Sequence, residues 1–235
     1  MNGHGYDYLR KSLEVLCAQT FKDFDVIVSD NSRDQVIEKL CQEFKGSLSI
    51  IYMQNHHAFG ISANLNNAIK NADGKIIKIL FQDDYLYSEN SLMHIANEFD
   101  LTRDYWMVTA SEHSSDGVSC YKRFTPRFSK SLLLGVNTIS SPSVLTIKNI
   151  SSKILFDENL TWLMDCDYYY QCYLAFGYPV ITNDVNVVNR TGIHQVSNSL
   201  VSRRMKRSEF KYIQKKYSAY LSLLDKLILY IKNFH

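Results

Sequence analysis

The stretch Ile76-Ile77-Lys78-Ile79-Leu80-Phe81-Gln82-Asp83-Asp84 decides how the rest of this chain is read. Its nearly continuous apolar run is too short for a helix and rich in β-branched residues. It predicts a strand buried on both faces, of the kind found inside a parallel sheet. The run ends in two adjacent carboxylates, which repel one another unless a cation or hydrogen-bond donors compensate. Hard divalent cations such as Mg²⁺ and Mn²⁺ take oxygen ligands, commonly one or two carboxylates together with phosphate oxygens. The plainer alternative for Asp83-Asp84 is a solvated turn that caps the next helix.

Upstream of this stretch, helical and strand patterns alternate. Tyr8, Leu9, Leu13, Leu16 and Cys17 recur at helical spacing and predict a helix over about 6–19. Residues 24–28 form a β-branched run that ends in the loop signal Ser29-Asp30-Asn31-Ser32. Val36, Ile37, Leu40 and Phe44 give a second helix, residues 48–52 a strand, and Ile61, Leu65, Ala68 and Ile69 a helix stopping near Gly74. This alternation predicts an α/β fold with an open, mostly parallel central sheet flanked by helices. Ligands of such sheets bind outside the carboxyl ends of the strands, which places Asp30 and Asp83-Asp84 on one edge. Downstream, residues 106–110, 144–147 and 185–188 read as strands, and 165 to about 176 as a helix closed by Gly177.

Composition narrows the function. The chain has 235 residues, 46% hydrophobic and 21% charged, as an ordinary globular protein does. A net charge of +2 argues against nucleic acid as a partner. The five cysteines are scattered without C-x-x-C spacing, so neither a zinc site nor a disulfide framework is indicated. No stretch approaches the roughly 20 apolar residues needed to cross a bilayer. A cytoplasmic location is expected. From about 201 onward, Phe210, Ile213, Tyr217, Leu221, Leu224, Leu227, Ile228 and Ile231 recur at helical spacing among basic residues. They predict one long helix or two, either packed on the domain or lying peripherally on the inner face of a membrane.

Several segments, taken in order, carry a resemblance. Asp25-Val26-Ile27-Val28-Ser29-Asp30-Asn31-Ser32 looks like the first acidic strand and loop of the family 2 glycosyltransferases, inverting enzymes with the GT-A fold. Ser12-Leu13 through Gln19-Thr20-Phe21 resembles the helix ahead of it. The segment from Gly60 through Asn66 to Gly74 is similar to their "GxSxARNxGIxxAxG" segment, and Ile79 through Asp84 to their "fLDxDD" metal motif. Ser141-Pro142-Ser143-Val144 is similar to an acceptor-side segment, Trp162-Leu163-Met164-Asp165-Cys166-Asp167 to the helix start that holds the catalytic base, and Arg190 through His194 to Ser197 to a closing "RxHxxxxS" element.

The resemblance implies a nucleotide-sugar donor (UDP-, GDP- or dTDP-linked) and a glycan or lipid-linked acceptor, with surface polysaccharide as the product. Asp30, Asn66 and Asp83 are then expected on the donor. Asp84 is expected to bind a divalent metal (Mn²⁺ or Mg²⁺), with His194 as a further ligand or a diphosphate contact. Asp165 is expected to be the general base, with Asp167 as the competitor. The plain readings stand beside these: a carboxylate favoured at a helix N-terminus for Asp165, and a loop histidine for His194. Departures from the pattern are Leu65, Phe81 and Met164, where many members carry arginine, aspartate and glutamate. The strand that opens the family's sheet is expected to be missing, because Met1 stands where it would end. Residues 1–200 are expected to form the GT-A domain and 201–235 a basic amphipathic helical tail. The alternatives are a catalytically inactive GT-A-like binding module and a nucleotidyltransferase. The latter would show a Gly-rich basic loop after its first strand, and none is visible.

Overall fold

A computed structural model describes residues 4–56, 60–192 and 201–234. The first part alternates as the sequence implies: α1 (His4–Cys17), β1 (Val26–Asp30), α2 (Val36–Phe44), β2 (Ile50–Gln54), α3 (Ile61–Lys70) and β3 (Ile76–Lys78). Then follow β4 (Tyr85–Leu86), α4 (Ser91–Glu98), β5 (Trp106–Ser114), β6 (Cys120–Phe124), β7 (Leu145–Lys148), α5 (Met164–Phe176) and β8 (Val180–Arg190). The chain closes with α6 (Arg203–Lys216) and α7 (Leu223–Phe234).

The α/β architecture stands, but the pairing is mixed rather than mostly parallel. β1 and β2 form a parallel pair in the register Val26↔Ile50 to Asp30↔Gln54. A separate sheet has the order β3-β7-β5-β8-β4, with β6 paired to β5. In it β5 and β8 are parallel and the other pairings antiparallel. Among the described residues, β1 has β2 as its one strand neighbour and β3 has β7. At the other edge of β1 the Asn64 amide on α3 donates to the Ser29 carbonyl at 2.7 Å.

The strand at Ile76 is shorter than its apolar run. The Ile79 N–H still donates to the Leu145 carbonyl of β7 at 3.1 Å, and beyond it the chain peels away, the Phe81 N–H going to the Ser143 hydroxyl at 2.9 Å. That departure swings Asp83-Asp84 out of the sheet and onto a loop.

The core is built around α5, whose Tyr168, Tyr169 and Tyr170 are all buried. A helix buried on successive positions must be covered on more than one side. The sheet covers α5 through Trp106, Val108 and Leu145, and the C-terminal helices cover it through Phe210, Ile213, Tyr217 and Leu229. Residues 201–235 are therefore packed on the domain, as two helices. A second cluster joins Leu13 and Leu16 of α1 to Leu40, Leu48 and Leu86. Among the described residues no helix is long and apolar enough to cross a membrane.

Candidate active site

The two carboxylates at the end of the β3 run have different surroundings. Asp84 is 3% exposed. Its Oδ1 accepts the Arg190 backbone N–H at 2.9 Å, and its Oδ2 accepts the Asn189 amide at 2.9 Å and the Ser141 hydroxyl at 3.0 Å. Burial still pushes its carboxyl up, against those donors. Asp83 is half-buried, and its carboxyl is raised to about 7 by burial and then by the neighbouring Asp84 charge, while Arg190 pulls the other way. The Arg190 guanidinium lies 4.4 Å from the Tyr8 ring centre and donates through Nε to the Asp83 carbonyl at 3.3 Å. It fills the place a β-carbon on residue 117 would need, and Gly117 has a φ of +77°. Only glycine meets both demands.

Near Asp84 stands a half-buried lysine. Lys78 Nζ donates to the carbonyls of Ser143, Ile79 (3.1 Å) and Leu145 (3.4 Å). Burial lowers its ammonium to about 7, with Asp84 acting in the opposite direction.

Asp165 occupies the first turn of α5, half-buried. Its Oδ1 accepts the Cys166 N–H at 2.7 Å and its Oδ2 accepts the Asn137 amide at 2.6 Å. Burial raises its carboxyl to about 6. The second Asn137 N–H donates to the Ser140 carbonyl at 2.8 Å, and Asn137 Oδ1 accepts the N–H groups of Ile139 and Ser140, both at 3.0 Å. Ser140 is thereby held at a φ of 100°. Such a conformation costs on the order of 1–3 kcal/mol in a non-glycine residue and persists only where its neighbours fix it. The Ser140 hydroxyl donates to Asn189 Oδ1 at 3.0 Å, and the Asn189 amide reaches Asp84. An unbroken hydrogen-bonded line thus runs from Asp165 through Asn137, Ser140 and Asn189 to Asp84.

The remaining residues singled out in the sequence fall elsewhere. Asp30, buried at the end of β1, accepts Ser32 N–H and hydroxyl, both at 2.8 Å, and Tyr52 hydroxyl at 3.0 Å. Asn66 is bonded within the protein. Its two N–H donors go to the Phe156 carbonyl and Glu158 carboxylate, both at 2.9 Å, and its oxygen accepts Phe156 N–H at 2.7 Å. Its side chain fastens α3 to the 156–158 loop and has no donor left for a nucleotide-sugar. Asp167 is fully buried and held by Lys216, Tyr217 and Gln171 at 2.7–2.9 Å. His194 lies outside the described residues.

Sequence reasoning did not find Asn137, Asn189, Lys78 or the Arg190 side chain as members of this site. Asn137 and Asn189 sit in loop and strand contexts with no local motif. A lysine inside an otherwise apolar run was the one available signal, since lysine is almost never buried unless paired.

The profile of Glycosyl transferase family 2 matches residues 2–152. An uncharacterized glycosyltransferase of Methanocaldococcus jannaschii is 27% identical over 172 residues, 70% of this chain and 59% of that protein. An uncharacterized glycosyltransferase of Rickettsia prowazekii is 28% identical over 215 residues, 85% and 65% of the two chains. The chain thus spans about three fifths of the length of these relatives. Among solved structures, Staphylococcus aureus TarS 1–349 in complex with UDP-GlcNAc superposes with a TM-score of 0.71 at 17% identity, covering 96% of this chain and 67% of that one. A Pyrobaculum calidifontis mannosyltransferase in complex with GDP-Man and Mn²⁺ gives 0.59 at 14% identity, covering 97% and 66%. The solved structures carry the fold and the profile carries the family: the chain has the GT-A fold and belongs to glycosyl transferase family 2.

Proposed function

We propose that this chain transfers a sugar from a nucleotide-sugar to a hydroxyl of a glycan or lipid-linked acceptor, inverting the anomeric centre, at the cytoplasmic face of a membrane. The observation that carries the reading is the line from Asp165 to Asp84, which fixes a proton acceptor and an anionic donor end on one rigid floor.

Asp165 is the general base. A carboxyl raised to about 6 is still ionised at neutral pH and is more basic than an exposed aspartate, as a base should be. The donors on its two oxygens orient it and leave lone pairs for an acceptor hydroxyl. The acceptor oxygen bonds to the anomeric carbon as the bond to the diphosphate oxygen breaks. Its proton passes to Asp165, and the electron pair leaves with the nucleoside diphosphate. Asp30 receives the nucleotide base.

The residues fit a divalent cation in part. Asp83 and Asp84 are neighbouring anions that burial leaves poorly compensated, and Mn²⁺ or Mg²⁺ is satisfied by one or two carboxylates plus phosphate oxygens. Among the described residues no group of three histidine, cysteine or acidic side chains forms a complete site. The donor's own phosphates, with His194 as a further candidate, complete the set. Asp83 and Asp84 are both candidate ligands. Asp84, the direct ligand expected from the sequence, accepts three protein donors on its two oxygens, which orient it and leave a lone pair for the ion. A bound ion would neutralise charge developing on the leaving diphosphate, and Arg190, beside Asp83, adds a fixed positive charge.

The TarS and Pyrobaculum structures hold UDP-GlcNAc and GDP-Man, which supports a nucleotide-sugar donor here. A Campylobacter jejuni GalNAc(5)-diNAcBac-PP-undecaprenol beta-1,3-glucosyltransferase, 30% identical over 94 residues (38% of this chain and 30% of that protein), supports a lipid-linked glycan acceptor. Isothermal titration of UDP- and GDP-sugars with and without Mn²⁺ tests the reading. Metal-dependent binding of one donor is expected, and its absence for every donor would remove it.

A further inference from the structure

The Asn137 side chain has no hydrogen-bonding capacity left over. One amide N–H donates to Asp165 Oδ2 at 2.6 Å and the other to the Ser140 carbonyl at 2.8 Å, while Oδ1 accepts the N–H groups of Ile139 and Ser140, both at 3.0 Å. An asparagine offers two donors and two lone pairs, and here all four are engaged. The pattern also fixes which end of the amide is nitrogen. Turned over, the group would set its oxygen against the Ser140 carbonyl and the Asp165 carboxylate, and its own N–H groups against two backbone N–H groups. The turn is held from α5 as well, where the fully buried Tyr169 donates its hydroxyl to the same Ser140 carbonyl at 3.1 Å. Among the described residues Ser140 is the one non-glycine with a positive φ. A strained residue persists where its neighbours over-determine it, and this turn presents to Asp165 an N–H that cannot reverse.

A locked N–H has a specific chemical consequence. It donates to a carboxylate but can never accept a proton from a carboxylic acid, so it favours the ionised form of Asp165 and bars a proton from Oδ2 along that direction. The Cys166 N–H does the same on Oδ1. An arriving proton must then go to a lone pair that neither donor holds. The titratable groups facing Asp165 are the Cys166 thiol and the Tyr169 hydroxyl. Burial holds both well above their ordinary ranges, so both stay neutral while the carboxyl titrates.

We propose that Asn137 is a positioning residue for the transfer, holding the Asp165 carboxylate ionised and at one rotation so that the proton of the acceptor hydroxyl lands on a free lone pair. The inference rests on Asp165 as the general base, but its first measurement needs neither donor nor acceptor.

The Asp165 carboxyl is followed by ¹³C NMR as pH is varied, its signal assigned as the one missing in Asp165→Asn. The wild-type chain is expected to titrate at about 6. Ser140→Gly adopts the positive φ without strain and keeps the Asn137 amide, so its midpoint should stay there. In Asn137→Ala/Ser140→Gly the turn is equally relaxed but the donor is gone. Losing a hydrogen bond to the charged form should raise the midpoint to about 7. A second readout is hydrolysis of whichever of UDP-GlcNAc or GDP-Man binds in calorimetry, with water standing in for the acceptor. The double variant should show a kcat at least about 10-fold below that of Ser140→Gly, at the same donor KM. Equal midpoints in the two variants, or equal kcat, would reduce Asn137 to a support of the turn and overturn the proposal. Turnover retained in Asp165→Asn would instead sink the base reading, and the proposal with it, whatever the midpoints.

Discussion

Asp165 and Asp167 stand one turn-half apart on α5 and have opposite fates because a helix sends them to different sides. Asp167 faces α6 and is neutralised by Lys216, while Asp165 faces the 137–143 loop and meets only neutral donors. Asp165→Asn is expected to lower kcat by about 10²–10⁴-fold, the usual contribution of a general base, with donor affinity by titration calorimetry unchanged. Retained turnover would remove Asp165 from the role. The pH profile follows from the same carboxyl. Below about 6 it takes up a proton and can no longer accept one, so kcat/KM should fall about tenfold per pH unit on the acid side. In Asp165→Asn that limb should vanish. Asp83 and Asp84 separate in a second comparison. Asp84→Asn places an amide N–H against donors already aimed at an oxygen, at a cost of about 1–3 kcal/mol. For a chain of this size that lowers Tm by several degrees. Asp83→Asn should abolish metal-dependent donor binding. Metal-dependent donor binding retained in Asp83→Asn would remove Asp83 from the metal site. The sequence made all four aspartates legible as candidates, but which carboxylate is saturated depends on Asn137, Asn189 and Arg190, which come from distant loops and strands.

At the scale of elements, periodicity located α2 and α5 nearly to the residue, since each carries an apolar stripe or a stop such as Gly177, while α3 ends at Lys70, short of the Gly74 stop expected. It missed β4, α4 and β6. β4 has two residues, too few to show a period, and β6 is an exposed hairpin arm whose Cys120, Tyr121, Lys122 and Arg123 face solvent. The run at Ile76 looked like a longer strand because its apolar residues continue past the pairing, whose last backbone bond runs from the Ile79 N–H to the Leu145 carbonyl. The join between α5 and α6 rests on Asp167, Lys216 and Tyr217. Lys216→Met strips the counter-ion from a fully buried carboxylate and should cost about 3–5 kcal/mol of unfolding free energy in urea. The double variant Asp167→Asn/Lys216→Met removes both charges and should recover most of it. A loss in the single variant below about 1 kcal/mol would show that the pair does not secure α6.

For the whole molecule, the α/β alternation was legible, and the direction of pairing was not. Parallel and antiparallel partners present the same apolar run, and the order β3-β7-β5-β8-β4 is set by connections that leave no local trace. The C-terminal helices show the same limit. Their apolar residues all fit one amphipathic pattern, but the structure divides them between two surfaces. Phe210, Ile213, Tyr217, Leu221 and Leu229 are in the core, whereas Leu223, Leu224, Leu227, Tyr230 and Ile231 are exposed along one side of α7. Deleting the segment would unfold the domain and say nothing about membranes, so the membrane reading needs point changes on the exposed side. Leu224 and Leu227 are 65% and 54% exposed, so Leu224→Glu/Leu227→Glu should leave Tm unchanged. If α7 lies on a bilayer, burying two leucines there contributes on the order of 2–5 kcal/mol. Replacing them should lower partition onto phosphatidylglycerol vesicles at least about 10-fold in a sedimentation assay. Partition that does not change in the double variant, or wild-type chain that stays in the supernatant, would assign that side of α7 to a protein partner or to water.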